Sequence, residues 1–210
     1  MGRQNQDNDV EKRIAEAKRD DLTANRMEQL AKDENWRVRH AIAKRPHLPY
    51  DLVLSLIKDK HKSIRRAIIL RDDLPPHFVA ILAQEKEFYV RCLVAKRADL
   101  PFDYVMRLAN DANVIVRIEI AKRADLPALI VEHLVQDDCS EVRHAIALRA
   151  VLPPELIERL SQDEDPGTRF AIAIRADLPK DLVERLSRDK SAFVRRAFSD
   201  CDTLPAPELE

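Results

Sequence analysis

The residues best placed to do chemistry in this chain are arginines. Arg45, Arg71, Arg97, Arg123, Arg149 and Arg175 recur at a spacing of 26 residues. Guanidinium forks set at regular intervals along one edge can track a phosphate chain or an acidic peptide, because each fork matches two anionic oxygens. A second, earlier column is more regular still: Arg13, Arg39, Arg65, Arg91, Arg117, Arg143, Arg169 and Arg195. Six residues before each stands an acid, from Asp7 and Asp33 through Glu85 to Asp189. That spacing predicts charge-assisted bonds that hold structural register, within a unit or to its neighbour. The column led by Arg45 is more open. Its members fall at the end of a helix, where a cation complements the helix dipole and loop acids such as Asp99, Asp125 and Asp177 lie close by.

Other chemistry finds little support. Gly2 and Gly167 are the only glycines, which excludes glycine-rich phosphate loops, dinucleotide fingerprints and the Gly-x-Ser-x-Gly nucleophile elbow. The six histidines form no His-Glu-x-x-His helix, and Cys92, Cys139 and Cys201 lie in no Cys-x-x-Cys pair, so no metal, cofactor or disulfide framework is expected. No catalytic residue is assigned. Lys and Arg number 36 against 37 Asp and Glu, so no whole-molecule field attracts polyanions or membranes, and nucleic-acid binders usually carry net positive domains with interleaved aromatics. The first residues lack an apolar signal core, and the sparse, unpaired cysteines fit a reducing cytoplasm.

The elements that must position these residues follow from the period. The 26-residue units carry variants of a Val-Arg-x-Ala-Ile-Ala-x-Arg-x-x-Leu-Pro string, clearest from Val142 to Pro153, with Leu93 and Glu119 replacing its first Ala and Leu22-Thr23 standing for Leu-Pro in the first unit. Val38, Ala41 and Ile42 keep the three-and-four spacing of one helix face, as do Leu52, Val53 and Leu56 after the Leu48-Pro49 step. Asn35, Asn113, Asp165 and Ser191 are expected to cap the first helices, and proline to open the second. Helices of about ten residues are marginal alone, so the units must stack. The expected fold is all-α: a solenoid over 1–210 of about eight two-helix repeats, with a degenerate capping repeat at 1–32 and an incomplete repeat at 189–210.

The repeated string resembles the leucine-rich repeat variant family, which is similar to HEAT and armadillo proteins. The resemblance implies a right-handed superhelix of paired short helices, the second of which can be a 3-10 turn. Two departures stand out. The cysteine cluster that holds iron and sulfur in the best-known form of that family is absent, and Arg stands where the family has Asn before Leu-Pro. An iron-sulfur cluster is therefore not carried over.

Within a fixed frame, columns that vary mark where packing does not dictate identity. One such column runs Trp36, Lys62, Phe88, Val114, Ser140, Pro166, Ala192, and another His40, Arg66, Cys92, Ile118, His144, Phe170, Arg196. With Tyr89, Ile115 and Glu119, the residues Trp36, His40, Phe88, Cys92, Val114 and Ile118 form the candidate partner-binding set, read as an apolar groove with one acid. The expected function is a non-enzymatic scaffold that binds a protein or extended peptide along a concave face. The alternative is phosphate-backbone binding through Arg45, Arg71, Arg97, Arg123, Arg149 and Arg175. A glycosylase-like enzyme on a helical-repeat scaffold is a distant third. No membrane partner and no small-molecule substrate are expected.

Overall fold

The computed structural model describes residues 2–199, with side chains from Asp7 onward. Among the described residues the chain is entirely helical, with fifteen α-helices, one 3-10 turn and no strand. Contacts divide it into two compact units, Met1–Leu108 and Ala109–Glu210.

In the first unit the longer α1 (Gly2–Ala17) is followed by α2 (Ala24–Ala31), α3 (Trp36–Ala43), α4 (Tyr50–Ile57), α5 (Lys62–Ile69), α6 (Pro76–Leu82), α7 (Phe88–Ala95) and α8 (Phe102–Ala109). First helices pack on first helices, α1 on α3, α3 on α5 and α5 on α7. Second helices do the same, α2 on α4 and α4 on α6, and each second helix also meets the next first helix. The second unit repeats the scheme with α9 (Val114–Ala121), α10 (Ala128–Leu134), α11 (Ser140–Ala147), α12 (Pro154–Ser161), α13 (Pro166–Ala173), α14 (Lys180–Ser187) and α15 (Ala192–Arg195), the last running into a 3-10 turn, Arg196–Phe198. This is an α-solenoid repeat architecture, two layers of short helices whose apolar stripes meet.

The sequence pattern explains the local structure. Val38, Ala41, Ile42, Val142, Ala145 and Ile146 are buried, and so is the invariant leucine of every second helix from Leu30 to Leu186. Each such leucine contributes about 1.5–3 kcal/mol by leaving water, enough to offset the cost of ordering a two-turn helix only when neighbours cover it. Caps form as expected at Asn35, Asn113 and Asp165, whose side chains accept from the Arg37, Ile115 and Thr168 amides. Ser191 makes no side-chain cap bond, whereas His61, not foreseen as a cap, accepts from the Ser63 amide through Nδ1 at 3.3 Å. Prolines 49, 75, 127, 153 and 179 occupy the N-cap of a second helix, where a missing N–H costs nothing. The second helices are α-helical, not 3-10 turns, because their seven or eight residues suffice for i to i−4 bonds. Cys201 and the Leu204-Pro205 pair lie outside the described residues, as does the end of the repeat expected at 189–210.

Candidate functional site

The arginine ladder accounts for most of the buried charge. Arg39 Nε and Nη2 donate to the two carboxylate oxygens of Asp59 at 2.7 and 3.0 Å, while its Nη1 donates to the Asp33 carbonyl at 2.7 Å. Arg143 with Asp163 and Arg169 with Asp189 repeat this geometry, and Arg117 with Asp137 does so in the second unit's first repeat. The carboxylate partner is thus the acid of the next repeat, 20 residues on, and the acid six residues back supplies only its backbone carbonyl. Each aspartate does a second job, accepting the amide two residues later, as Asp163 does from Asp165 at 2.9 Å. Burial pushes the Asp163 carboxyl up, but the Arg143 and amide bonds outweigh it and hold the group below the ordinary aspartate range.

One rung is broken. Glu85 replaces the aspartate and bonds neither Arg65 nor the amide of residue 87. Arg65 turns instead to Tyr89, donating from Nη2 to the phenol oxygen at 2.5 Å, and to the exposed Glu87 carboxylate at 3.4 Å, while its Nε is buried without an acceptor. Tyr89 was expected to face a partner; its hydroxyl is engaged in register, because a glutamate at that turn leaves a guanidinium to be satisfied.

The outer column behaves differently from a phosphate rail. Arg71 Nη1 donates to the Arg45 carbonyl at 2.5 Å, Arg97 Nη1 to the Ile69 and Arg71 carbonyls at 2.5 and 2.8 Å, and Arg175 Nη1 to the Arg149 carbonyl at 2.5 Å. Arg149 reaches the Arg123 carbonyl in the same way. These groups close the orphan carbonyls at the end of the preceding first helix. Arg97 and Arg175 then give Nε and Nη2 to the aspartate two residues on, Asp99 and Asp177, and Arg71 and Arg123 give Nη2 to Asp73 and Asp125, at 2.6–2.9 Å. Little donor capacity is left for phosphate oxygens.

The variable face of the first helices carries exposed apolar side chains, as do the second helices at Tyr50, Phe102 and Leu129. Trp36 is 40% exposed, Phe88 and Ile115 each 45%, and Phe193 47%. Phe88, Tyr89 and Cys92 belong to the first unit, Val114, Ile115, Ile118 and Glu119 to the second. Cys92, Val114 and Ile118 are half-buried. Glu119 is mostly covered and accepts from Lys122 Nζ at 3.1 Å. In the second unit Phe170 and Phe193 pack at 4.4 Å between ring centroids. In the first unit, Trp36 stacks on His61 at 4.2 Å and meets His40 edge-on at 6.0 Å.

Trp36, His40 and Arg45 come together along a cleft of about 370 Å³ between α1 and α3. Lys18, Lys44 and Asp20 also line it. Burial and the neighbouring Lys44 lower the His40 pKa, so its imidazole stays neutral to lower pH than usual. Lys18 and Lys44 were not singled out from the sequence. The signal was present, since the position before each outer arginine alternates between Lys (44, 96, 122) and an exposed aliphatic residue (Leu70, Leu148, Ile174).

Stacked helical repeats with a structural arginine ladder and a variable outer face define an α-helical repeat scaffold. No family model matches the sequence, and no curated protein matches it. Among solved structures the chain is similar to one described as a leucine-rich repeat variant with a novel repetitive protein structural motif. The two share 27% identity and a TM-score of 0.70 over 85% of this chain and 71% of the other. The fold is that of an α-helical repeat protein and is similar to that leucine-rich repeat variant. Among the described residues no helix is long and apolar enough to cross a membrane.

Proposed function

We propose that this protein is a non-enzymatic, cytoplasmic scaffold that binds a protein or extended peptide through the exposed face of its first helices. One observation carries the reading: Trp36, Phe88, Ile115 and Phe193 stand 40–47% exposed in a frame whose buried positions are, Phe78 apart, mostly small or aliphatic. Large apolar side chains held on rigid helices supply contact area at low entropic cost and are the usual anchors of an interface. The phosphate-binding alternative has less support, since the outer arginines are engaged by carbonyls and aspartates.

The test compares wild type with a Phe88→Lys, Ile115→Lys variant as bait at physiological salt, with bound proteins identified by mass spectrometry. Removing two anchors is expected to reduce recovery of a specific partner by at least about thirtyfold, the equivalent of 2 kcal/mol. Equal recovery by both baits refutes the face. Fluorescence anisotropy with duplex DNA and single-stranded RNA serves as the counter-test: tight binding that collapses with salt would promote the arginine column instead.

A further inference from the structure

Arg45 differs from its column in its Nη2. In Arg71, Arg97, Arg123 and Arg175 that atom donates to an aspartate two residues on, and in Arg149, which has Val151 there, it donates to the Ala124 carbonyl at 3.2 Å. Two residues after Arg45 stands His47, in the left-handed region with φ 53°, and no carboxylate reaches the guanidinium. Arg45 Nη1 is satisfied by the Ala17 and Arg19 carbonyls at 2.8 and 2.6 Å, Nε is buried, as it is in Arg123 and Arg149, and Nη2 bonds no atom of the described residues. The Nη2 that the sister residues give to a carboxylate or a carbonyl is therefore unengaged, and Arg45 lines the cleft between α1 and α3.

The surroundings favour an anion on an apolar body. Lys18 and Lys44 line the same cleft without ion-pair partners, Arg37 is already neutralised by Glu11 at 2.6 Å, and Asp20 is the single acid among the lining residues. Ile14, Ala41 and Pro46 supply apolar wall and Trp36 an exposed indole. We infer that this cleft accepts an acidic side chain of a peptide partner, its carboxylate accepting from Nη2 of Arg45 and an adjacent aromatic or aliphatic residue lying against Trp36. This deepens the scaffold reading, on which it rests. A carboxylate is preferred over a phosphate because aspartate carboxylates accept from the same Nη2 in four sister repeats at 2.6–2.8 Å.

Trp36 is the sole tryptophan of the chain, so its fluorescence reads the cleft directly. The full chain is titrated with N-acetyl-aspartyl-phenylalaninamide, with its asparaginyl analogue and with inorganic phosphate. The aspartyl peptide is expected to give a saturable change, half-complete on the order of 1 mM, a usual strength for so small a ligand. The asparaginyl analogue should bind at least about tenfold more weakly, having lost the charge-assisted pair. His47→Asp supplies an internal carboxylate and should weaken the aspartyl peptide by a similar factor. Lys44→Leu, a residue tolerated at this position as Leu70 and Leu148, should weaken it about three- to tenfold through the lost cation. Absence of saturation, equal binding of the asparaginyl analogue, no effect of either variant, or tighter binding of phosphate would each overturn the inference. Both variants leave Phe88 and Ile115 intact. A silent cleft in a chain that still loses its partner on Phe88→Lys, Ile115→Lys therefore sinks this inference alone, whereas failure of both experiments sinks the scaffold reading with it.

Discussion

Replacing Glu85 by aspartate should stabilise the protein, and the ladder gives the magnitude. In the intact rung at Arg39, Asp59 takes two guanidinium bonds at 2.7 and 3.0 Å and the His61 amide at 2.7 Å. Glu85 does neither, and Arg65, only 8% exposed, keeps a buried Nε with no acceptor. A restored charge-assisted bond contributes about 1.5–3 kcal/mol and a neutral turn bond about 0.5–1.5 kcal/mol. Against this, the Tyr89 hydroxyl gives up Arg65, which costs about 1 kcal/mol. The net gain is about 1–3 kcal/mol. Urea unfolding of the full chain followed by circular dichroism should show a higher midpoint at unchanged slope, and the melting temperature should rise by about 2–4 °C per kcal/mol. The coupling is checked by Tyr89→Phe. It should destabilise the parent by about 1 kcal/mol and be close to neutral beside Glu85→Asp, because the phenol is then no longer needed. A midpoint that stays or falls in Glu85→Asp, or a Tyr89→Phe effect that is the same in both backgrounds, would refute the account of the broken rung.

Three further outcomes are expected. Asp163→Asn leaves the buried Arg143 guanidinium only the exposed Glu164 carboxylate at 3.2 Å and should cost about 3 kcal/mol, read as a lower urea midpoint. The ladder also sets acid sensitivity: net effects of burial, arginine bonds and backbone amides hold Asp59, Asp137 and Asp163 low, and the Arg169 bonds do so for Asp189. A depressed folded pKa contributes stability above the unfolded value of about 3.9 and loses it as pH falls through the folded value, so unfolding free energy should drop steeply below about pH 4 and less so in Asp163→Asn. Arg175→Gln should lower stability by about 2–4 kcal/mol at low and high salt alike, measured by urea midpoint, because its donors close the Arg149 and Ala150 carbonyls and pair with Asp177. A variant of unchanged stability that alters only polyanion binding would return the outer column to a recognition role.

Much of this molecule was legible in the residues alone. The 26-residue period, the three-and-four spacing of Val38, Ala41 and Ile42, the proline that opens the second helices after α2 and the asparagine caps are local signals. Helix geometry acts over a few residues, so a sequence states it openly. The variable face of the first helices was visible for the same reason, as a column where packing had released its hold. Which acid each arginine takes was not visible: six residues back and 20 residues ahead are equally plausible until repeats are stacked, and stacking brings the distant one to 2.7 Å. The same holds for the outer arginines, whose carbonyl partners lie 26 and 28 residues earlier, and for Tyr89, drawn from the exposed face to an arginine that a glutamate had failed. Side-chain partnership depends on distances between repeats. Tertiary packing alone sets those distances, and with them it decided that the outer arginines close carbonyls of the preceding repeat while Arg45 Nη2, given neither the aspartate of Arg71 nor the carbonyl of Arg149, is left unengaged in the cleft that Trp36 lines.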